Sequence, residues 1–329
     1  MVFQLFKDCS LCLENVSMNT SINASGEWNS AARIVVTFLS LMLAVIIFSG
    51  NLLVIVAFAV TKSLRREIDL YIVSLAIADF LLSIVVLPLG IARQYYGYWP
   101  FQSNLLCQFY LSVNLLVESA SVFSMCCISV DRYIAVTHPL QYNRTRNYIR
   151  PICLLGGTWL LSITSTLLSY ICGYQHFYIE GKCYVNYDSN YRLSSTVFYW
   201  LIPIMIIGCT HFMIFIAIRR HSIRRRQLNI QNKFSLRDHI QRQTTFKREL
   251  RTVKNMAIVI FCFLFCWLPY LPLHLGEIFC NCMFSETLIM SSVWFMYLNS
   301  GCNPFIYAFH KKPYANAYRR LLNMEKYHR

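Results

Sequence analysis

The chain has 329 residues, of which 56% are hydrophobic and only 14% are charged, and its formal net charge is +15. The hydrophobic residues run in long blocks and do not recur at amphipathic spacing, which excludes an ordinary water-soluble domain. In a membrane protein, the excess positive charge indicates which side of the bilayer the charged segments face. It does not indicate nucleic-acid binding.

Seven apolar blocks of about 20 residues or more follow one another along the chain. Their approximate limits are 34–60, 70–93, 105–135, 151–173, 194–219, 253–279 and 286–309. Backbone groups in lipid must be hydrogen-bonded internally, and the short alternating segments of a β-barrel are not seen, so the blocks are predicted to be helices. We therefore predict an all-α membrane protein, a seven-transmembrane helix bundle with a short amphipathic helix in the C-terminal tail.

Lysine and arginine are distributed very unequally between the two sides of the predicted bundle. With the N-terminus outside, 25 of the 30 basic residues lie on the inner side, which predicts that orientation by the positive-inside rule. The long inner connection, roughly 220–250, is basic. It is either a solvated loop near anionic lipid or a cytoplasmic extension of two helices that contacts a partner protein.

Three segments are predicted from this pattern. Residues 1–33 form an extracellular segment with glycosylation sequons at Asn15, Asn19 and Asn23, 34–309 form the transmembrane domain, and 310–329 form a cytoplasmic tail. The polar start of the chain predicts that no cleavable signal peptide is present.

Acidic residues inside the predicted spans are costly in lipid and usually functional. Asp79, Glu118 and Asp131 are such residues, and Asp131 is followed by Arg132 and Tyr133 at the inner end of the third helix. The 25 residues from Cys107 to Arg132 extend about 37 Å at 1.5 Å per residue, enough to cross a bilayer.

An ordered set of short motifs, one or more per predicted helix, accompanies these acids. They are Gly50-Asn51, Leu75-Ala76-x-Ala-Asp79, Cys107, Asp131-Arg132-Tyr133, Trp159, Pro203, Phe263-x-x-Cys266-Trp267-x-Pro269 and Asn303-Pro304-x-x-Tyr307. With this set the chain resembles the rhodopsin-like (class A) G-protein-coupled receptors from Asn51 to the tail. The resemblance implies a plasma-membrane receptor that converts binding of an extracellular small molecule into activation of a heterotrimeric G protein.

That resemblance also implies further partners, namely arrestin, a receptor kinase and membrane lipid, and no enzymatic activity. A membrane transporter is the alternative from another class. It is disfavoured because the spans show no inverted repeat and no glycine-rich pair of broken helices.

The resemblance assigns a switch to the inner ends of the helices. Arg132 would pair with Asp131 and, in the resting state, with Glu249, and breaking this lock would release the sixth helix. Ordinary salt bridging at the membrane surface is the alternative. The full predicted switch and G-protein set is Asp131, Arg132, Tyr133, Glu249, Pro304 and Tyr307.

Two further features are implied by the resemblance. A polar pocket similar to the family's sodium site would be lined by Asp79, Ser121, Asn299, Ser300 and Asn303. We therefore expect an allosteric sodium ion and no other cofactor. A water-filled network without the ion is the alternative. Cys107 and Cys183 would form a disulfide on the oxidising outer side, whereas the pairing of Cys280, Cys282, Cys9 and Cys12 stays open.

The region expected to bind ligand is similar to that of amine receptors, particularly the histamine and muscarinic branches, with one departure. Amine receptors carry an aspartate where this chain has Asn114, but Glu118 lies one helical turn deeper on the same face. We predict that Glu118 supplies the missing counter-ion. The other candidates are Leu115, Ser195, Thr196, Tyr199, Trp267, Tyr270, Leu271, Trp294 and Tyr297.

Several alternatives to this pocket remain. In the first alternative, Glu118 is protonated and hydrogen-bonded within the bundle, since burial away from water disfavours the charged form. In the second, Ser195 and Tyr199 form hydrogen bonds to neighbouring helices and not to a ligand. A peptide or lipid ligand would replace the amine, whereas retinal is disfavoured because the seventh helix has no lysine.

Overall fold

The computed structural model of the chain describes residues 30–138, 142, 148–171, 175–179, 182–186, 189–230, 257–279 and 284–322. Seven long helices form a bundle, and an eighth, short helix follows. They are α1 (Ser30–Val60), α2 (Glu67–Tyr96), α3 (Asn104–Thr137), α4 (Ile149–Ile171), α5 (Ser189–Ile230), α6 (Ala257–Phe279), α7 (Glu286–His310) and α8 (Lys312–Leu321). The predicted seven-helix bundle with its short terminal helix is confirmed.

Length and apolarity agree with membrane crossing for most of these helices. Five are long and apolar enough by themselves, and the two halves of α6, Ala257–Trp267 and Tyr270–Phe279, make a sixth span bent by 47°. The bend falls at Pro269, which cannot donate a backbone hydrogen bond. Helix α7 has 25 residues but is not among these six spans, and its C-terminal half carries the polar residues Asn299, Ser300 and Asn303.

Capping interactions explain where several helices begin and end. The Ser103 side chain accepts a hydrogen bond from the Leu106 backbone N–H at the start of α3, and Ser285 does the same for Leu288 at the start of α7. Helix α2 ends at Gly97, whose φ of 75° lies in the left-handed region that glycine adopts without strain.

Two wider turns interrupt the regular helices. Leu82–Val86 in α2 and Val197–Leu201 in α5 are π-helical turns, each of which rotates the following residues about the helix axis. An antiparallel hairpin, β1 (Gln175–Ile179) with β2 (Lys182–Asn186), lies between α4 and α5 and pairs Gln175 with Asn186. The sequence analysis predicted neither feature.

The buried core runs through the middle of the bundle and is more polar than that of a soluble domain. Asn51 in α1 is fully buried and donates to the Ser300 backbone oxygen of α7 over 3.1 Å. Trp159 in α4 donates to the Ser74 hydroxyl of α2 over 3.0 Å. These bonds join α1 to α7 and α4 to α2 through groups that lipid could not satisfy.

Candidate functional site

Three polar side chains form a relay across the bundle between α7 and α3. The Tyr297 hydroxyl donates to Asn114 Oδ1 over 2.9 Å, and Asn114 Nδ2 donates to Glu118 Oε1, also over 2.9 Å. The Asn114 amide therefore uses its acceptor toward α7 and its donor toward the carboxyl. An aspartate at position 114 could not donate when ionised, so Asn114 positions Glu118 in a way that an ionised aspartate cannot.

A small cavity continues from this relay toward the inner half of the bundle. Its volume is about 20 Å³, which is room for about one water molecule or a small ion. Both Glu118 and Asp79 line it, so two acidic groups border the same small space. The remaining lining residues are Ala78, Leu82, Val117, Ser121, Trp267, Met296, Tyr297, Asn299 and Ser300.

Asp79 is buried and accepts two hydrogen bonds from α7. Ser300 Oγ donates to its Oδ1 over 2.7 Å, and Asn303 Nδ2 donates to its Oδ2 over 3.0 Å. Asn299 is 3% exposed, and its Oδ1 has no hydrogen-bond partner among the described residues. The structure thus gathers all five residues predicted for the ion pocket, four of them as cavity lining and Asn303 as a partner of Asp79.

Aromatic rings lie beside the relay on α5, α6 and α7. The rings of Trp267 and Trp200 have centroids 4.0 Å apart, and Tyr270 meets Trp267 edge to face at 6.3 Å. Trp294 meets Tyr297 edge to face at 5.5 Å. Trp200 was not predicted from the sequence, because only its neighbour Tyr199 was assigned to the face of α5 that points into the bundle.

The remaining pocket candidates lie on α5 and beside the relay. Thr196 is buried, and its hydroxyl lies 2.9 Å from His274 Nε2 on α6. The Ser195 hydroxyl donates to a backbone oxygen of its own helix, at Arg192, over 3.0 Å. Tyr199 is buried against Phe123, with ring centroids 6.4 Å apart. Leu115 and Leu271 are half-buried. A role of these five residues in ligand binding stays a prediction.

The inner end of α3 carries a buried ion pair. Arg132 Nε donates to Asp131 Oδ2 over 3.2 Å, and both side chains are only 4% exposed. Tyr142, which the sequence analysis did not single out, accepts a bond from Arg132 over 2.9 Å and donates to Asp131 over 3.2 Å. Glu249, predicted to complete the lock, lies outside the described residues, so the lock itself stays a prediction.

Other switch residues lie near this pair or at the end of α7. Tyr133 is half-buried beside Arg132 in sequence, and Pro304 is inside α7. Tyr307 is buried, and its ring centroid lies 5.7 Å from that of Tyr314 on α8. The end of the predicted switch therefore packs directly on the terminal helix.

The disulfide between Cys107 and Cys183 is confirmed. It joins the start of α3 to β2, with Cα atoms 5.8 Å apart. The hairpin is thereby held beside the N-terminal end of the helix that carries Asn114 and Glu118. Cys9, Cys12, Cys280 and Cys282, like the sequons at Asn15, Asn19 and Asn23, lie outside the described residues.

A bundle of seven long helices with a polar centre and a buried acid–arginine pair at one end is the arrangement typical of seven-helix membrane receptors. The chain belongs to the rhodopsin family of seven-transmembrane receptors, whose family model matches residues 50–307. It is therefore a multi-pass plasma-membrane receptor that couples a small-molecule ligand to a G protein, and it is not an enzyme. The transporter alternative is wrong.

Its relatives include receptors named for amines. The chain is 28% identical to the Homo sapiens 5-hydroxytryptamine receptor 4, an alignment that covers 95% of this chain and 86% of the relative. It is 30% identical to the Bos taurus alpha-1A adrenergic receptor, over 84% of this chain and 65% of the relative. It is 28% identical to the Takifugu rubripes D(5)-like dopamine receptor, over 84% and 64%.

Proposed function

We propose that the chain is a receptor for a small molecule with a protonated amine, and that Glu118 is the counter-ion of that amine. The observation that carries this proposal is the relay from Tyr297 through Asn114 to Glu118. The relay holds the Glu118 carboxyl one turn below the position at which amine receptors carry their aspartate. The names of the relatives, receptors for 5-hydroxytryptamine, adrenergic ligands and dopamine, support an amine as the ligand class.

The asparagine and the glutamate make physical sense together. Two carboxylates at i and i+4 on one helix face would repel each other, and in a site of low dielectric one of them would take up a proton. Asn114 removes that repulsion and donates a hydrogen bond to the Glu118 carboxyl. The departure at position 114 therefore accompanies a relocated acid, and it does not imply that the receptor has lost its ligand.

The surroundings of Glu118 suit an ammonium group that approaches from the outer side. The cavity of about 20 Å³ on its inner side is too small for an organic amine. Trp294 and Tyr297 lie on the adjacent face of α7 in edge-to-face contact. A cation against such rings gains about 0.5–2 kcal/mol beyond its pairing with the carboxylate.

The same cavity supports the proposal of an allosteric sodium ion. The Asp79 carboxylate, the Ser121 hydroxyl and the unpaired Oδ1 of Asn299 supply oxygen atoms that suit a small hard cation. Because Glu118 borders this cavity as well, an ion there would lie close to the carboxyl that pairs with the amine. Binding of the two cations would then oppose each other, and the ion would favour the inactive state.

We further propose an orientation of the receptor in the membrane and additional partners. The N-terminal segment is extracellular and glycosylated at Asn15, Asn19 and Asn23, and residues 310–329 are cytoplasmic. The distribution of basic residues supports this orientation. Arrestin, a receptor kinase and membrane lipid are proposed as additional partners at the cytoplasmic face.

The experiment is a G-protein activation screen of the full-length receptor against a panel of biogenic amines, with Glu118→Gln alongside. Removing one member of a buried charge pair costs about 3–5 kcal/mol. An amine that activates the native receptor should therefore lose at least about 100-fold in potency on Glu118→Gln, since about 1.4 kcal/mol is tenfold.

The matched control moves the acid by one turn without changing the total charge. In the double variant Asn114→Asp with Glu118→Gln, the carboxyl returns to the position it has in amine receptors, and a substantial part of the response should return. An unchanged response of Glu118→Gln would remove Glu118 from ligand recognition. Activation by peptides or lipids alone would favour the alternative ligand classes.

A further inference from the structure

Three cysteine thiols meet where α6 packs against α7. Cys262 and Cys266 lie one turn apart on α6, and Cys302 lies on α7. Each of the three thiols is in hydrogen-bonding contact with the other two. All three are free cysteines, and none of them lines the cavity between Glu118 and Asp79. The cluster is therefore separate from the relay, the ion cavity and the buried pair at the end of α3.

The three thiols differ in their access to the surroundings of the bundle. Cys266 is only 3% exposed, whereas Cys262 and Cys302 are half-buried. Beside these two in sequence, Phe261 is 71% exposed and Phe305 is 52% exposed, in the middle of long helices whose exposed apolar surface is covered by lipid. A reagent dissolved in the hydrocarbon can therefore reach Cys262 and Cys302 more readily than Cys266.

The register of the two helices favours Cys262 as the partner of Cys302. The ring centroids of Phe265 on α6 and Phe295 on α7 lie 5.7 Å apart. Because α6 and α7 are joined by a short connection and run antiparallel, residues before Phe265 lie level with residues after Phe295. Cys302 follows Phe295 along α7. On α6 it is Cys262 that precedes Phe265, whereas Cys266 lies on the other side of this ring contact.

We propose that Cys262 and Cys302 form a redox modification site, at which a lipid hydroperoxide oxidises the two thiols to a disulfide between α6 and α7. One thiol attacks the O–O bond and becomes a sulfenic acid, and its proton passes to the leaving alkoxide, which departs as an alcohol. The second thiol attacks the sulfenic sulfur, the S–S bond forms, and the hydroxide leaves as water with the second thiol proton. The two thiols lose two electrons, and these reduce the hydroperoxide.

The surroundings of the cluster agree with this chemistry. A hydroperoxide carried on an acyl chain dissolves in the hydrocarbon beside the two half-buried thiols, which a charged, water-soluble oxidant does not. Thiol clusters also bind soft metal ions, but in the part of the chain that the structure describes no group of three or more His, Cys, Asp or Glu residues could hold a metal ion. Oxidation is therefore the chemistry that this cluster supports.

A disulfide at this place would constrain α6. Cys262 lies in the half of α6 that precedes the bend at Pro269, and the bond would hold this half against α7. Cys302 is followed directly by Asn303, which donates to the Asp79 carboxylate. The two helices could then no longer separate at this level, whatever ligand the receptor binds. The site thus goes beyond the proposed amine recognition and does not depend on it.

The experiment is disulfide mapping of the full-length receptor in phosphatidylcholine nanodiscs. The probe is cumene hydroperoxide, an organic hydroperoxide that dissolves in the bilayer. Its dose is raised until Cys209, an exposed thiol of α5, is oxidised. Remaining thiols are then blocked with N-ethylmaleimide, and the peptides from a pepsin digest are identified by mass spectrometry. The variants are Cys262→Ser and Cys302→Ser, with Cys266→Ser as the matched control from the same cluster.

We expect a peptide pair linked through Cys262 and Cys302, at least about tenfold more abundant than in the untreated receptor. It should be missing from Cys262→Ser and from Cys302→Ser, and Cys266→Ser should keep at least about half of it. Absence of the linked pair at a dose that oxidises Cys209 would overturn the proposal. A bond from Cys302 to Cys266, or between the two cysteines of α6, would overturn it as well.

A second measurement tests whether the bond joins the two helices in the folded receptor. The thermal unfolding midpoint, followed by tryptophan fluorescence, should rise by about 3 °C or more on oxidation of the native receptor and not of Cys262→Ser. An equal rise in that variant would assign the effect to oxidation elsewhere and contradict the proposal. Before oxidation, each variant must keep the native midpoint, and Cys262→Ala replaces the serine variant where it does not.

Discussion

At the scale of single residues, an amide at Asn114 and an acid at Glu118 lie one turn apart on α3 and are joined by a hydrogen bond. Helical spacing was enough to predict that Asn114 and Glu118 share a face. It could not predict that the Tyr297 hydroxyl would complete the relay, because that contact joins residues far apart in sequence. The role of Glu118 therefore depends on a bond that only the three-dimensional structure displays.

Close packing between α1 and α7 gives a prediction for Gly50. A Cβ at this position would lie 2.8 Å from Cγ of Pro304, closer than atoms of a rigid ring allow. Gly50→Ala should therefore lower the stability of the receptor by about 1–3 kcal/mol. The thermal unfolding midpoint in detergent, followed with a thiol-reactive dye, should fall by roughly 2–10 °C.

Gly156 in α4 is the control for this prediction. A Cβ there would have no neighbour within 4 Å, and alanine is favoured over glycine in a helix by up to about 1 kcal/mol. Gly156→Ala should leave the midpoint unchanged or raise it. Equal midpoints for the two alanine variants would show that Gly50 is not a close-packing position.

At the scale of the elements, the junction of α7 and α8 contains a buried cation. Lys311 is 7% exposed, and its Nζ lies 3.9 Å from Asp69 Oδ1 on α2. The same Nζ lies 5.7 Å and 5.8 Å from the ring centroids of Tyr307 and Tyr314. Burial lowers the pKa of Lys311 to about 7, although the charge of Asp69 acts in the opposite direction.

This lowered pKa predicts a pH dependence of stability. Between about pH 7 and the ordinary lysine value, the unfolded chain holds a proton that the folded receptor has released, so stability rises with pH. From pH 7 to pH 9 the contribution of Lys311 is about 2 kcal/mol. Lys311→Met lacks this contribution. Between pH 7 and pH 9, the free energy of unfolding of the native receptor should therefore rise by about 2 kcal/mol relative to that of Lys311→Met.

The measurement is the unfolding midpoint of the native receptor and of Lys311→Met at pH 7 and pH 9. Lys312→Met, which changes the exposed neighbouring lysine, should follow the native receptor at both pH values. A difference between native receptor and Lys311→Met that stays constant with pH would contradict the assignment of Lys311 as the titrating group.

The elements themselves were predicted to different degrees. Hydropathy predicted all seven spans to within a few residues at most ends, because the thickness of the bilayer sets their length. Pro269 explains the bend of α6. The π-helical turns in α2 and α5 could not be predicted, since one inserted residue leaves the hydropathy of a span unchanged. The pairing of Lys311 with Asp69 was not predictable, because each residue looked like part of a basic or polar helix end.

At the scale of the whole molecule, the candidate sites are arranged along one axis of the bundle. The relay at Glu118 and the ion cavity share a wall, and Asp79 at the far side of that cavity is bonded to α7, the helix that continues to Tyr307. Arg132 and Asp131 form their pair at the C-terminal end of α3, the helix that also carries Glu118. Helices α3 and α7 therefore connect the surroundings of Glu118 with the end of the bundle that carries Arg132 and Tyr307.

Ligand and G protein can bind on opposite sides of the membrane only if the helices cross the bilayer an odd number of times, with the region around Glu118 open to the outside. Epitope tags at the two termini of the receptor in intact and permeabilised cells test this most directly. The N-terminal tag should be stained on intact cells, and the C-terminal tag should be stained only after permeabilisation. Staining of both tags under the same condition, or in the reverse order, would contradict the account.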